Sequence, residues 1–582
     1  MKKTITLLAL ALTTNAFSQI NFQSISQTSV GLSGTNALLA IIDYNNDDNE
    51  DLIMSDNSQN LVFYKNNGNG TFSSLNIGIT QNVNAGAIKP ADFNNDGYQD
   101  FVVTFQDSIK FFKNTTLGGF TDVTTSLGFV NPITTRPIFF NANSGVWDDY
   151  DADGDLDLLI NTKDNSNNYV EAFVNNSTSF NTRNILLTFA LPIQPLFTLI
   201  DYDNDQDQDI LLLNFNDNNP PMSQYNYQPL KLYQKSGITY TDVTATSGLG
   251  LGSNHGFAQV WDYNNDGWAD IIMGSTDNVL NSTNANRVYK NLGTGSFTDV
   301  STTLNLMNGN NYYRFVYPTE LDNDGDLDVF FASTNHLFSN NNNGTFTADL
   351  ISTSGLPASS NYGSFIDYNN DGKLDFLSQV YSQNIEVYKN ITAISNNYIN
   401  VKLHGCPNLK DPKGTRVCLY TSQGMQTRYF GNNKGGNGAF DQASNILHFG
   451  IGTSTAVDSI KVFWTNGGIT KHYPTINTIN HLYQLPSCNP ATGIISLDNN
   501  KGINIYPNPT TEHLIVEFSN EDILANCSLK ITNALGQVVL STQLNNLSTN
   551  VNLNNLISKE IYFVYIIDSQ NNIVDIKKIV LQ

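Results

Sequence analysis

Cysteine, histidine and positive charge are scarce in this 582-residue chain, and each scarcity excludes something. Four cysteines cannot staple a chain of this length into a disulfide framework, and their connectivity is not readable from spacing. Cys406 and Cys418 flank a turn holding Pro407, Pro412 and Gly414, so a bridge across neighbouring strands is expected there under oxidising conditions. Cys488 and Cys527 are left either free or paired across a linker. Lys and Arg total 29 against 52 Asp and Glu, for a formal net charge of -23. Phosphate binding needs a basic stripe, which is missing, so nucleic acid is excluded as a partner. Beyond the N-terminus no run approaches twenty apolar residues, and no transmembrane segment is expected in the mature chain. Catalytic signatures are missing too: there is no G-x-S-x-G elbow, H-E-x-x-H pair or P-loop, and no catalytic residue is assigned. Between Gln19 and Ser395 the only histidines are His255 and His336, and His255 beside Gly256 suits a close-packed strand.

What the chain has in abundance is one acidic loop, D-x-[DN]-x-D-G-x-x-D, seven times at spacings near fifty residues. Positions 1, 3, 5, 7 and 9 of loop 1 are Asp43, Asn45, Asp47, Asn49 and Asp51; of loop 2, Asp92, Asn94, Asp96, Tyr98 and Asp100. Loop 3 has Asp149, Asp151, Asp153, Asp155 and Asp157, and loop 4 has Asp201, Asp203, Asp205, Asp207 and Asp209. Loop 5 has Asp262, Asn264, Asp266, Trp268 and Asp270. Loop 6 has Glu320, Asp322, Asp324, Asp326 and Asp328, and loop 7 has Asp367, Asn369, Asp371, Lys373 and Asp375. Calcium wants six to eight oxygens at roughly 2.3–2.6 Å; side chains at positions 1, 3, 5 and 9 of a tight turn can converge on it, with the carbonyl of position 7. Glycine at position 6 supplies positive φ. Asp48 and Gln206 replace it in loops 1 and 4, the two sites that depart from the pattern. An EF-hand would need a bidentate Glu at position 12, where this chain has Met54, Val103, Ile160, Leu212, Met273, Phe331 and Ser378. The closing ligand is therefore expected at position 9. A single such loop could be an ordinary acidic turn, but turn chemistry does not require an acid at position 9 seven times over.

Each loop runs into a short apolar strand such as Leu158-Leu159-Ile160, the pattern of a strand buried on both faces. Each repeat then carries an aromatic strand with a polar end, such as Phe63-Tyr64-Lys65-Asn66, and most carry an opening of the kind Phe120-Thr121-Asp122-Val123. Repetition of several strands per unit predicts radial or linear stacking of sheets. The seventh repeat lacks its last strand, and Asn21-Phe22-Gln23-Ser24-Ile25 reads as that strand displaced to the N-terminus. A first strand that completes the last sheet closes a ring and hides its edges, so an all-β, seven-bladed β-propeller is expected over residues 19–395.

These loops resemble the FG-GAP and VCBS repeats of integrin α-subunit propellers. The resemblance implies calcium ligation by positions 1, 3, 5 and 9 with the carbonyl of position 7, up to seven structural Ca²⁺ in all. Those positions hold 24 of the 52 acids, so much of the acidity belongs to the loops.

The remainder divides by texture. Lys2 and Lys3, the apolar stretch Ile5 to Leu12 and Ala16-Phe17-Ser18 read as a signal peptide over residues 1–18. Residues 396–485, with Gly414-Thr415-Arg416-Val417, His448-Phe449-Gly450-Ile451-Gly452 and Ile460-Lys461-Val462-Phe463-Trp464, resemble the ASPIC/UnbV domain, a small β-domain in which His448 reads as a packed strand residue. A polar linker spans 486–503. Residues 504–582, with Ile505-Tyr506-Pro507-Asn508-Pro509 and the terminal Lys577-Lys578-Ile579-Val580, resemble a type IX secretion sorting domain, a β-sandwich. That resemblance implies the type IX secretion machinery as a partner and export through periplasm and outer membrane, to be secreted or held at the cell surface. The expected function is a non-catalytic binding or adhesion module for a protein or glycan ligand. The alternative is a calcium-dependent polysaccharide lyase or hydrolase on the same scaffold, since fold does not determine chemistry. Tyr225 and Tyr227, in the loop around Pro220-Pro221, are candidates to stack on a sugar.

Overall fold

The computed structural model describes the chain from Ile20 to Leu581 except residues 34–38, 56–59, 78, 80–86, 105–107, 117–118, 130–138, 141–144, 191–193, 216–229, 251–254, 276–285, 307–314, 333–335, 350–353, 357–361, 380–384, 404–410, 432–433, 437–445, 466–468, 473–478, 486–502, 507–509, 511–512, 519–526, 534–537, 545, 554–560 and 568–572. The expected signal peptide, Cys406, Cys488, Tyr225 and Tyr227 fall outside the described residues. The chain forms two compact units, Met1–Cys488 and Asn489–Gln582.

The described residues of the first unit are β-strands joined by turns and irregular segments, with one short 3-10 helix at Gln27–Val30. Sheet 1 runs Leu39–Ile42, Asp51–Ser55, Leu61–Asn66, Phe72–Leu75 as an antiparallel meander. Six more sheets follow on the same plan: from Ala87, from Phe139, from Gln194, from His255, from Val316 and from Tyr362. Sequence explains the layering within each sheet. Second strands such as Asp100–Thr104 are buried at every position, third strands such as Ile109–Asn114 are buried except at two half-buried positions, and fourth strands such as Phe120–Asp122 bury only their first aromatic. The first strands of sheets 1 and 2, of 4 and 5 and of 5 and 6 touch one another, which places them on the inner side. Sheet 7 has only three strands of its own, and Phe22–Ile25 completes it antiparallel to Ile385–Asn390, with Phe22 opposite Asn390. The architecture is propeller-like, and the displaced N-terminal strand sits where the sequence places it.

Two sets of asparagine side chains tie neighbouring sheets together. The residue ending the third strand donates from Nδ2 to a carbonyl in the preceding sheet's loop: Asn114 to Tyr44, Asn175 to Phe93, Asn291 to Tyr202, Asn340 to Tyr263 and Asn390 to Leu321, at 2.7–3.1 Å. Asn66 of sheet 1 donates in the same way to Tyr368 of loop 7 at 3.1 Å, which closes the circle. The second set runs in the opposite direction. Position 4 of every loop is left-handed, and its asparagine reaches the next loop: Asn46 to Gly97, Asn95 to Gly154, Asn204 to Gly267, Asn265 to Gly325, Asn323 to Gly372 and Asn370 to Asn49. Both ties are missing between sheets 3 and 4, where Ala152 occupies position 4 and Lys235 stands in the third-strand place. There a buried pair, Lys235 Nζ and Asp148 Oδ2 at 3.9 Å, and a bond from Tyr150 Oη to the carbonyl of Ile238 take over.

Asn66 also donates to the carbonyl of Glu50, so its loss would take a donor from two carbonyls at once. Asn66→Leu is expected to destabilise the first unit by about 2–4 kcal/mol, read from denaturant unfolding. A change below about 0.5 kcal/mol, the size of an ordinary surface substitution, would remove the tie from the account of closure.

Residues 397–485 form two sheets on one core that includes Ile399, Val417, Phe449, Val462 and Trp464. Cys418 is a free, buried thiol 3.6 Å from Thr427 Oγ1, which corrects the expected bridge to Cys406. In its strand Arg416–Thr421 the side chain is buried on the face opposite Val417 and Leu419, where burial pushes the thiol pKa up. The strand Lys434–Gly436 leaves this region to pair with His255–Trp261, the innermost strand of sheet 5. In the second unit, a three-stranded and a four-stranded sheet share the core of Leu514, Val516, Leu529, Ile531 and Val564.

Candidate metal loops and the surface that covers them

Position 9 anchors every loop. Asp51, Asp100, Asp157, Asp209, Asp270, Asp328 and Asp375 each begin a second strand, and all are buried. One oxygen of each accepts the backbone N–H that ends the third strand, from Asn66, Asn114, Asn175, Lys235, Asn291, Asn340 and Asn390, at 2.7–3.0 Å. In five loops the other oxygen accepts the N–H of position 2, as from Tyr150 to Asp157 at 2.9 Å. Burial pushes these carboxylates up, to about 8 for Asp51 and Asp100 and about 9 for Asp157 and Asp209, against the lowering effect of those amides and with help from neighbouring acids. Asp270, Asp328 and Asp375 move in the same direction for the same first cause.

Position 1 carboxylates cap the turn. Asp92, Asp149, Asp262 and Asp367 accept the N–H of the position 6 glycine at 2.7–3.1 Å, and Asp43 and Asp201 accept it from Asp48 and Gln206. Position 6 lies at φ 66 in Asp48 and 76 in Gln206, so both substitutes adopt the conformation that glycine adopts elsewhere.

Three loops bring carboxylate oxygens from positions 1, 3 and 9 within 4.8 Å of one another: Asp149, Asp151 and Asp157; Asp201, Asp203 and Asp209; Glu320, Asp322 and Asp328. Oxygens that bind one ion at 2.3–2.6 Å from opposite sides stand about 4.6–5.2 Å apart, so the spacing suits a calcium-sized cation. Glu320 is 1% exposed and neither of its oxygens accepts a hydrogen bond among the described residues. These groups can hold a metal ion. In loops 1, 2, 5 and 7 position 3 is an asparagine, and no such trio of acids forms among the described residues.

The loops are covered by the small β-domain within the first unit. Lys402 Nζ lies 2.7 Å from Asp43 Oδ2 and 2.6 Å from Asp48 Oδ1, and Gln484 donates to the other oxygen of Asp48. Arg416 donates to the carbonyl of Gly267 at 2.8 Å, Arg428 Nη2 approaches Glu320 Oε2 at 3.5 Å, and Asp411 accepts the N–H of Asp92. His448 is indeed packed in a strand: Nε2 meets Asn323 Oδ1 at 2.6 Å and Nδ1 lies 2.7 Å from Asn400 Oδ1. Burial, then Arg428, hold the ring neutral, down to about 3, so only one ring nitrogen carries a proton. Asn323 already donates to Gly372 through Nδ2, so its Oδ1 is placed to accept from Nε2–H of His448. Sequence reasoning missed Lys402, Arg416, Arg428 and Asp411, because nothing local marks a residue that reaches a loop hundreds of positions away. Asn at position 4 was visible in six of the seven loops.

A cavity of about 150 Å³ lies where Glu320, Arg428 and His448 meet Tyr317, Phe365 and Leu374. His336 begins a third strand and stacks on Phe338, and His255 begins the innermost strand of sheet 5.

Residues 43–103, 92–160, 262–331 and 320–378 match the FG-GAP-like repeat family. The chain carries FG-GAP-like repeats. Residues 407–488 match the family described as ASPIC and UnbV, and 504–582 match the secretion system C-terminal sorting domain. The sorting domain directs type IX export to the cell surface or extracellular space, and no helix among the described residues is long and apolar enough to cross a membrane. Cartilage acidic protein 1 of Xenopus tropicalis is 27% identical over 265 residues, 41% of this chain and 38% of that protein. The human protein of that name is 25% identical over 270 residues, 42% and 38% respectively. The chain thus spans about two fifths of the length of these relatives. Among solved structures, an Agrocybe aegerita protein described for recognition of non-reducing terminal N-acetylglucosamine has a TM-score of 0.37 at 16% identity, covering 64% of this chain and 94% of that one.

Proposed function

We propose that this exported FG-GAP-repeat protein is a non-catalytic binding module: a seven-bladed propeller over residues 19–395 held by structural Ca²⁺ in its acidic loops, with the β-domain of 396–485 as its cap, a linker and the sorting domain from 504. The observation that carries this reading is the burial of the acidic loops. Asp43, Asp92, Asp149, Asp201, Asp262 and Glu320 are all under 9% exposed, and Lys402, Arg416, Arg428 and Asp411 lie on that face of the loops. Ions held there brace the scaffold, and a protein or glycan ligand has to meet the strand connections elsewhere on the propeller. The polysaccharide lyase or hydrolase alternative would need an open cleft with an acid or base of its own. The cavity at Glu320 and His448 is below the 300–1,000 Å³ of usual ligand pockets and is lined largely by apolar side chains.

The test is a glycan array and a polysaccharide-degradation assay on the mature protein, with and without Ca²⁺. Retention of a glycan or protein without turnover, weakened on chelation as the scaffold loses its braces, is the expected result. Turnover of any polymer would overturn the binding-module reading.

A further inference from the structure

The seven loops fall into two chemical classes that are matched by one position on the third strand. In loops 3, 4 and 6 all five alternate positions are acidic, as from Asp149 to Asp157. The residue just before the third-strand amide that bonds position 9 is there Val174, Gln234 or Ser339, none of which carries charge. In loops 1, 2, 5 and 7 position 3 is Asn, position 7 carries no acid, and the same third-strand position is always lysine.

Those lysines reach the loops. Lys65 Nζ is 2.7 Å from Asp47 Oδ2, and Lys113 is 3.2 Å from Asp96 Oδ2. Lys290 is 3.2 Å from Asp266 Oδ2, and Lys389 is 3.1 Å from Asp371 Oδ2. Each ammonium therefore sits on the position 5 carboxylate, one of the oxygens that a loop-bound cation would use. The position 3 asparagine also turns donors on neighbouring carboxylates, as Asn369 does on Asp375 at 2.8 Å and Asn264 on Asp266 at 2.9 Å. Three of the alternate-position acids share that lysine in these loops, whereas in the others no third-strand cation among the described residues sits on position 5; Lys235 beside loop 4 lies instead 3.9 Å from Asp148, with its charge felt at Asp207.

Independent observations point to an ion in the all-acid class. Only those three loops, among the described residues, cluster carboxylate oxygens within 4.8 Å. Buried oxygens there lack a hydrogen bond: both of Glu320 and Oδ1 of Asp201, which is 6% exposed. Arg428 brings one guanidinium to loop 6 from the covering β-domain, 3.5 Å from Glu320, and leaves that loop still in large excess of negative charge.

We propose that loops 3, 4 and 6 each take one Ca²⁺ and that loops 1, 2, 5 and 7 take none, the third-strand lysine standing where the ion would be. The assignment rests on the calcium reading above and divides the sites within it. A divalent ion in loops 1, 2, 5 and 7 would have to displace an ammonium from an oxygen it already holds, for a site with two acids fewer.

The full chain, stripped with chelator and then equilibrated with millimolar Ca²⁺, is to be desalted and its metal content measured by elemental analysis. Three Ca²⁺ per chain are expected. Any other number overturns the assignment; four to seven would leave the calcium reading standing, and none would overturn that reading as well. Two double variants test the cause. N264D with K290Q is expected to raise the count to four, and D151N with V174K to lower it to two. Unchanged counts in whichever of the two folds would remove the lysine from its role.

Discussion

Stripping divalent ions from the folded protein is expected to lower its Tm by about 8 °C, and Ca²⁺ added back in excess over the chelator is expected to restore it. The magnitude follows from linkage. A site with free Ca²⁺ at a hundred times its Kd stabilises the fold by about 2.7 kcal/mol, so three sites contribute about 8 kcal/mol. For a unit the size of Met1–Cys488, the entropy of unfolding is roughly 1 kcal/mol per kelvin, which converts that figure to the shift named. The direction follows from the loops themselves: in the absence of an ion, burial and then neighbouring acids work against the ionised form of Asp157 and Asp209. Mg²⁺ at the same concentration is expected to restore little, because it demands near-ideal octahedral geometry at 2.0–2.1 Å and gives up its water reluctantly. A midpoint unmoved by chelation, in protein shown to have lost its metal, would remove calcium from the account of stability.

Much of the scaffold was legible because it is built from local rules repeated seven times. The Asp at position 9 begins a strand in every copy, and the displaced strand Phe22–Ile25 could be placed by noticing which repeat lacked one. Glycine at position 6 announced positive φ, yet its two replacements have different reasons that only the structure gives. Asp48 tolerates φ 66 and uses its carboxylate to hold Lys402 and Gln484 of the covering β-domain. Gln206 tolerates φ 76, and two residues later Gln208 donates to the carbonyl of Gly414 in that same β-domain. The lysine that divides the loops was in view as part of the aromatic strand, at Lys65, Lys113, Lys290 and Lys389. Its meaning was hidden because strand register decides whether it reaches position 5, and register depends on pairings between separate segments. The covering surface was the least legible part. The motifs Gly414-Thr415-Arg416-Val417 and His448-Phe449-Gly450-Ile451-Gly452 identify a family without saying that Arg416 and His448 meet loops 5 and 6.

Gly450→Ala is expected to cost about 3 kcal/mol, the upper part of the range for forcing extra atoms into a close-packed region. Its backbone is in no left-handed conformation, so the requirement for glycine is contact alone. A Cβ there would lie 2.5 Å from the Cα and carbonyl carbon of Asn323 and 2.7 Å from Cδ of Glu320. Loop 6 cannot step aside easily, since Asn323 is held by its bond to Gly372, by His448 and by the N–H of Gly452. Gly237→Ala supplies the contrast: φ is +59 there and nothing lies within 4 Å, so only the backbone cost of about 1–2 kcal/mol applies. The two variants also differ in what else changes. Because the added methyl at 450 presses on Glu320, it is expected to weaken Ca²⁺ binding at loop 6 and to expose the segment before Asn397 to protease, neither of which the methyl at 237 should do. Equal losses of stability in the two variants, with metal content and proteolysis unaltered in both, would mean that the β-domain does not press on loop 6 as described.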